Sequence, residues 1–93
     1  MNAVMYKLDK ISGKVESFIK KLDRQTQSRL NSAFDYILES PFKHNNPTAI
    51  KRLHGKMDGY YRYRLGSIRF VYQVDRDKKL IKILEIDNRG DIY

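Results

Sequence analysis

From Lys14 onward, apolar residues recur at Val15, Phe18, Ile19 and Leu22, the i, i+3, i+4, i+7 spacing that lays one stripe along a helix, while Lys14, Glu16, Lys20 and Lys21 fall elsewhere on the wheel. Asp23 stands where a second helix needs its N-cap. Leu30, Ala33, Phe34, Ile37 and Leu38 then keep the same period until Ser40-Pro41 stops it. Two consecutive helices with a tight junction predict an antiparallel helical hairpin with one apolar side. Ahead of them, Val4-Met5-Tyr6-Lys7-Leu8 reads as a brief opening strand, followed by a turn-like Ile11-Ser12-Gly13. Phe42 to Thr48 is polar, contains Pro47, and predicts a loop crossing from helices to sheet.

After Gly59 the period changes from 3.6 to 2. Tyr61 to Leu65 alternates strictly, Gly66-Ser67 interrupts, and Ile68 to Val74 alternates again, which predicts a hairpin with a two-residue turn. A second turn at Asp75-Arg76-Asp77-Lys78 leads into a third strand, Leu80 to Ile86. The fold class is therefore α+β: a short amino-terminal strand and a helical hairpin packed on a small antiparallel sheet. The turn fixes the register, pairing Leu65 with Ile68, Arg64 with Arg69, Tyr63 with Phe70, Arg62 with Val71 and Tyr61 with Tyr72. One face then holds Tyr61, Tyr63, Leu65, Ile68, Phe70, Tyr72 and Val74, and the other Arg62, Arg64, Arg69, Val71 and Gln73. The first is the expected core face, so its aromatic residues are assigned to packing and not to a ligand.

Composition narrows what such a domain can be. The chain has 93 residues and is expected to form one domain over 1–93, with 41% hydrophobic and 12% aromatic residues, too rich in core formers for a disordered polycation. There is no cysteine, which excludes a disulfide framework and thiolate metal sites. No apolar run spans a bilayer, the amino terminus lacks the apolar stretch of a secretory signal, and the cytoplasm is the expected compartment. The formal charge is +8, and it is uneven: the stretch from Lys51 to Arg69 holds Lys51, Arg52, Lys56, Arg62, Arg64 and Arg69 against Asp58 alone. Such a field attracts polyanions, nucleic acid first among them.

Like charges opposed across a strand pair are destabilising, so Arg64 facing Arg69 with Arg62 diagonal is a poor choice for stability alone. Guanidinium groups form bidentate forks to phosphate, and three on one face point to an anionic ligand there. The carboxylates are scattered, without metal-ligand spacing, and no metal or cofactor is expected.

The runs Lys51-Arg52-Leu53-His54-Gly55, Tyr61-Arg62-Tyr63-Arg64, Ile68-Arg69-Phe70-Val71-Tyr72-Gln73-Val74 and Asn88-Arg89-Gly90-Asp91-Ile92-Tyr93 together resemble the RelE/ParE superfamily of bacterial toxins, most closely its RelE branch. The resemblance implies the fold already read. It also implies a toxin of a type II toxin-antitoxin system that cleaves mRNA in the ribosomal A site, without a metal, and is held in a hetero-oligomer by a cognate antitoxin. The family's two sheet-face lysines fall on Arg62 and Arg64, its central arginine on Arg69, its late arginine on Arg89 and its carboxy-terminal tyrosine on Tyr93. The implied chemistry is in-line attack of a ribose 2′-hydroxyl on the adjacent phosphate. That attack needs a proton acceptor, a stabilised phosphorane and a protonated leaving oxygen. Arginine suits the second need and not the first. With Arg64 in place of a lysine, the acceptor is left open between Tyr93 and His54. Lys51, Arg52, His54 and Lys56 are expected to dock on ribosomal RNA. The other readings are a noncatalytic gyrase inhibitor of the ParE type and an RNA- or ribosome-binding module without chemistry; fold alone does not choose among them.

Overall fold

A computed structural model describes residues 5–55 and 59–88. In chain order these form β1 (Lys7–Ile11), α1 (Gly13–Lys20), α2 (Arg24–Glu39), β2 (Ile50–Arg52), β3 (Tyr60–Leu65), β4 (Ile68–Asp75) and β5 (Leu80–Asp87). The strands make one five-stranded sheet in the order β1-β5-β4-β3-β2. All neighbours are antiparallel except β1 and β5, which run parallel. The α+β expectation holds, and the amino-terminal strand makes the sheet mixed.

Helix α2 starts where the sequence places its cap. The Asp23 carboxylate accepts from Thr26 N at 3.3 Å, and its pKa is held below the usual aspartate value, chiefly by the hydrogen bond to Thr26. Ser12, expected within a turn, caps α1 instead: strand runs straight into helix, with Val15 N donating to Ser12 Oγ. The first apolar stripe ends early, because Leu22 lies beyond α1 in the connection to α2, its N–H bonded to the Ile19 carbonyl.

The opening strand lies three residues later than its apolar pattern predicts. Position is chosen by pairing: Lys7 N donates to Lys79 O and Ser12 N to Ile83 O, which sets Lys7–Ile11 alongside β5. Strand β2 has no counterpart in the sequence reading. Its three residues, two of them basic, are too short for a periodic signal, yet they pair with Tyr61 to Tyr63.

The hairpin of β3 and β4 has the expected register at every pair from Tyr61 with Tyr72 to Leu65 with Ile68. Gly66 takes φ +61°, which a type II′ turn asks of its first central residue and glycine adopts without a Cβ penalty. The aromatic face is buried as expected. Tyr63 stacks on Phe70 with centroids 5.1 Å apart and planes 8° from parallel, Tyr61 stacks on Tyr72 at 5.7 Å, and Phe34 of α2 meets Phe70 edge-on at 5.0 Å. Val15, Leu30, Ile37, Ile81 and Ile83 complete this core, so both helices cover the same sheet face.

Strict alternation fails at one place in β5. Tyr72 pairs with Ile83 and Val71 with Glu85, leaving Leu84 as an extra residue, a β-bulge. Continued alternation from Ile81 and Ile83 would send Glu85 and Asp87 into the core. The bulge turns them outward and buries the flank of Ile86 against the core. The Leu84 carbonyl, taken out of the ladder, accepts a 3.1 Å hydrogen bond from the Ser12 hydroxyl.

Two outcomes test this packing. Ser12→Ala removes a helix cap worth about 1 kcal/mol and the partner of a part-buried carbonyl worth about 1 kcal/mol more. It is expected to lower the urea midpoint by the equivalent of roughly 2 kcal/mol with an unchanged m-value. Tyr72 is fully buried, its hydroxyl donating to the Pro41 carbonyl, and burial pushes its pKa far above that of an exposed phenol. The unfolded phenol ionises near pH ~10, so the stability it contributes is complete below that pH and is lost as pH rises above it. Tyr72→Phe should lower stability at pH 8 and flatten its decline between pH 9 and 11, read from urea midpoints.

Candidate functional site

The sheet face opposite the helices is set by the same registers. One row across it runs Arg64, Arg69, Asp87; the next runs Lys51, Arg62, Val71, Glu85; a third runs Tyr60, Gln73, Lys82, Lys10. The three arginines of the hairpin therefore share one face, as read from the sequence, with Lys51 beside Arg62.

Their environments differ. Arg64 is exposed, while Arg62 and Arg69 are half-buried. Arg62 Nη2 donates to the Thr48 carbonyl at 2.9 Å, which ties the guanidinium to the loop entering β2. Its Nε is buried, with no hydrogen-bond partner among the described residues. Burial, then the charges of Arg69 and Arg64, lower the pKa of Arg62 from its ordinary value. An arginine stays protonated through such a shift. The strain falls on stability, and an anion that accepted from Nε and neutralised the three cations would relieve it.

Val71 departs from its expected setting. It lies on the arginine face but is fully buried, between Arg62 and Glu85 in register. Glu85 and Asp87 were not foreseen at the site at all. Only the Leu84 bulge brings them there, Asp87 directly opposite Arg69, so the two arginine rows are mixed in charge, with cations on β2, β3 and β4 and carboxylates on β5.

Of the expected docking residues, Lys51 joins this face. Arg52 pairs with Tyr61, a core-facing residue, and so falls on the helix side of the edge strand. His54 is exposed just beyond β2. Lys56, Arg89 and Tyr93 lie outside the described residues. His44 is structural: Nδ1 accepts from Asn46 N at 3.0 Å, and its ring packs on Tyr36 and Tyr63 with centroids 4.4 and 5.7 Å away. Tyr60, one residue ahead of the alternation read from the sequence, stands on the arginine face; extending that alternation backward by one position would have found it.

Two helices on one side of a small, mostly antiparallel five-stranded sheet form the fold shared with solved RelE toxins. The toxin of the archaeal RelE-RelB complex from Pyrococcus horikoshii OT3 superposes with a TM-score of 0.78 at 29% identity, over 95% of this chain and 99% of that one. The toxin of the E. coli RelBE toxin-antitoxin complex gives 0.70 at 26% identity, over 89% and 95%. The YoeB/ParE toxin from Agrobacterium tumefaciens, at 22% identity and a TM-score of 0.71 over 88% and 96%, shares the fold. No curated protein matches by sequence. The family model for the ParE toxin of type II toxin-antitoxin systems matches residues 10–93, and the chain belongs to that family, within the RelE/ParE superfamily.

Opposed arginines make the site electrostatically costly in the absence of an anion. Arg64→Gln is expected to raise unfolding free energy by a few tenths of a kcal/mol at low ionic strength. The gain should shrink as salt shortens the Debye length to about 10 Å near 0.1 M, measured by urea unfolding at 20 and 200 mM salt.

Proposed function

We propose that this toxin is a ribosome-dependent mRNA endonuclease of the RelE kind, cleaving A-site mRNA in the cytoplasm by attack of a ribose 2′-hydroxyl on the adjacent phosphate. The observation that carries this reading is the half-buried Arg62, anchored on Thr48 with an orphan Nε–H and flanked on the same face by Arg64 and Arg69. Three preorganised guanidinium groups are what a pentavalent phosphorane needs. Arg89 and Tyr93 are assigned by their match to the family pattern, as the late arginine and the terminal tyrosine of the same site. Tyr93 or the exposed His54 serves as proton acceptor. The ribosome would hold the mRNA in line, and alignment of that kind is worth several kcal/mol of barrier. Lys51, with Arg52, His54 and Lys56, supplies contacts to ribosomal RNA.

A cognate antitoxin is the expected partner, since several of the RelE structures similar to this chain are of toxin-antitoxin complexes. An acidic segment would suit the arginine face. The reading as a noncatalytic gyrase inhibitor draws on one observation, the match to the ParE family model.

Purified protein added to programmed ribosomes should produce cuts within the A-site codon, ending in 2′,3′-cyclic phosphates. Arg69→Ala should reduce the cleavage rate about 100-fold, as loss of a transition-state donor does, while circular dichroism stays that of the wild type. Absence of A-site cuts together with inhibition of gyrase supercoiling would replace this reading by the ParE-type one.

A further inference from the structure

The arginine face carries one aromatic side chain of the described strands that the phosphate chemistry leaves unused. Tyr60 opens β3 and pairs with Gln73, so its side chain stands on the same face as Arg62 and Arg64, two residues away from Arg62 along one strand. Residues two apart on a strand are about 7 Å from each other. The described strands put no other aromatic side chain on this face; Tyr61, Tyr63, Phe70 and Tyr72 are all in the core. Around Tyr60 the face carries Gln73 opposite it and Lys82 beyond, with two buried apolar residues beside it. Leu53, whose N–H donates to the Tyr60 carbonyl at 3.0 Å, is buried, and so is Val71, diagonal to Tyr60 across the hairpin. Tyr60 itself is half-buried.

We infer that Tyr60 is a stacking platform for a nucleobase of single-stranded RNA, positioned so that a nucleotide whose phosphate lies among Arg62, Arg64 and Arg69 sets its own or the neighbouring base on the phenol ring. The inference rests on RNA being the substrate and adds the subsite that holds the base. A phosphate on guanidinium groups and a base on an aromatic ring are the two recurring contacts of single-strand recognition, one electrostatic and the other indifferent to salt. Leu53 and Val71 are buried beside the ring's position, and Gln73 stands opposite it. The ring gives no hydrogen-bond code, so the subsite would favour large bases by stacking area over any one sequence.

The test uses the full chain and a short single-stranded RNA made uncleavable by 2′-O-methylation, compared with the same strand lacking its bases, both read by fluorescence anisotropy. Tyr60→Leu should weaken binding of the intact strand roughly tenfold and leave the abasic strand unaffected, while Tyr60→Phe keeps wild-type affinity. Arg64→Ala should weaken both strands alike. Equal effects of Tyr60→Leu on the two strands, no effect on either, or a wild type that binds both equally would overturn the platform. Ribosomal cleavage by the wild type is scored separately. A base-dependent Tyr60 effect without cleavage retires the endonuclease and keeps the subsite; cleavage without that effect retires the subsite alone.

Discussion

One hydroxyl holds together the parts of this fold that are furthest apart in sequence. Ser12 accepts from Val15 N at the start of α1 and donates to the Leu84 carbonyl in β5, while its own N–H reaches Ile83. The strand-to-helix corner and the bulge thus fix one another. Everything on the last strand beyond Leu84 takes its facing from that junction. Ile86 turns toward the core and Asp87 pairs with Arg69 on the other side. A one-residue slip would exchange them, placing two carboxylates in a hydrocarbon layer at a cost of several kcal/mol each. A second irregularity, at Asp9 in β1, does the same for the parallel edge: Leu8 meets Ile81 and Lys10 meets Lys82, so like faces like.

The division of faces lets the domain tolerate a costly site. Behind Arg62, Arg64 and Arg69 stand Tyr61, Tyr63, Phe70 and Tyr72, stacked on one another and on Phe34. Aromatic pairs of this kind contribute about 0.5–1.5 kcal/mol beyond their buried area, against some tenths lost to each like-charge opposition. The hairpin can therefore carry its arginines without help from a ligand. A weaker core under the same charges would open at the edge, where β2 offers only three residues of pairing.

How far the sequence disclosed this arrangement depended on how local the determining physics was. The β3-β4 register was legible residue by residue, because Gly66-Ser67 fixes the turn and the two flanking runs alternate at every position but Val71. Helix α2 was legible from Asp23 to Ser40 for the same reason, its cap and its stop both lying next to its stripe. The bulge was not. Leu80 to Ile86 is apolar enough to satisfy either facing, and the choice is made by Ser12, 72 positions earlier in the chain. β1 was misplaced because its bounds are set by parallel partners in β5, and β2 was missed because pairing with β3 creates it. At the site, Arg62, Arg64 and Arg69 followed from alternation alone, whereas Glu85 and Asp87 depended on the bulge and Arg52 on the pairing of an unforeseen strand. Arg89 and Tyr93 lie outside the described residues and keep their assignment from the family pattern.

The mixed charge of the sheet face bears on the scale of its ligand. A surface built for a duplex spreads its cations along the backbone and gains from each phosphate neutralised. Here the hairpin cations sit in two adjacent rows, and on the β5 side each row ends in a carboxylate, Asp87 or Glu85. A strand continuing across β5 would meet repulsion within about 10 Å of the arginines. Within these two rows only β2, with Lys51 beside Arg62, extends the positive side; the cations further across, Lys82 and Lys10, stand in the next row with Tyr60 and Gln73. The face therefore favours one or two phosphates approached from the β2 edge over a long contact. A protein with so short a phosphate footprint gains little affinity from the field alone, and on the proposed reading the ribosome supplies the alignment that the footprint does not.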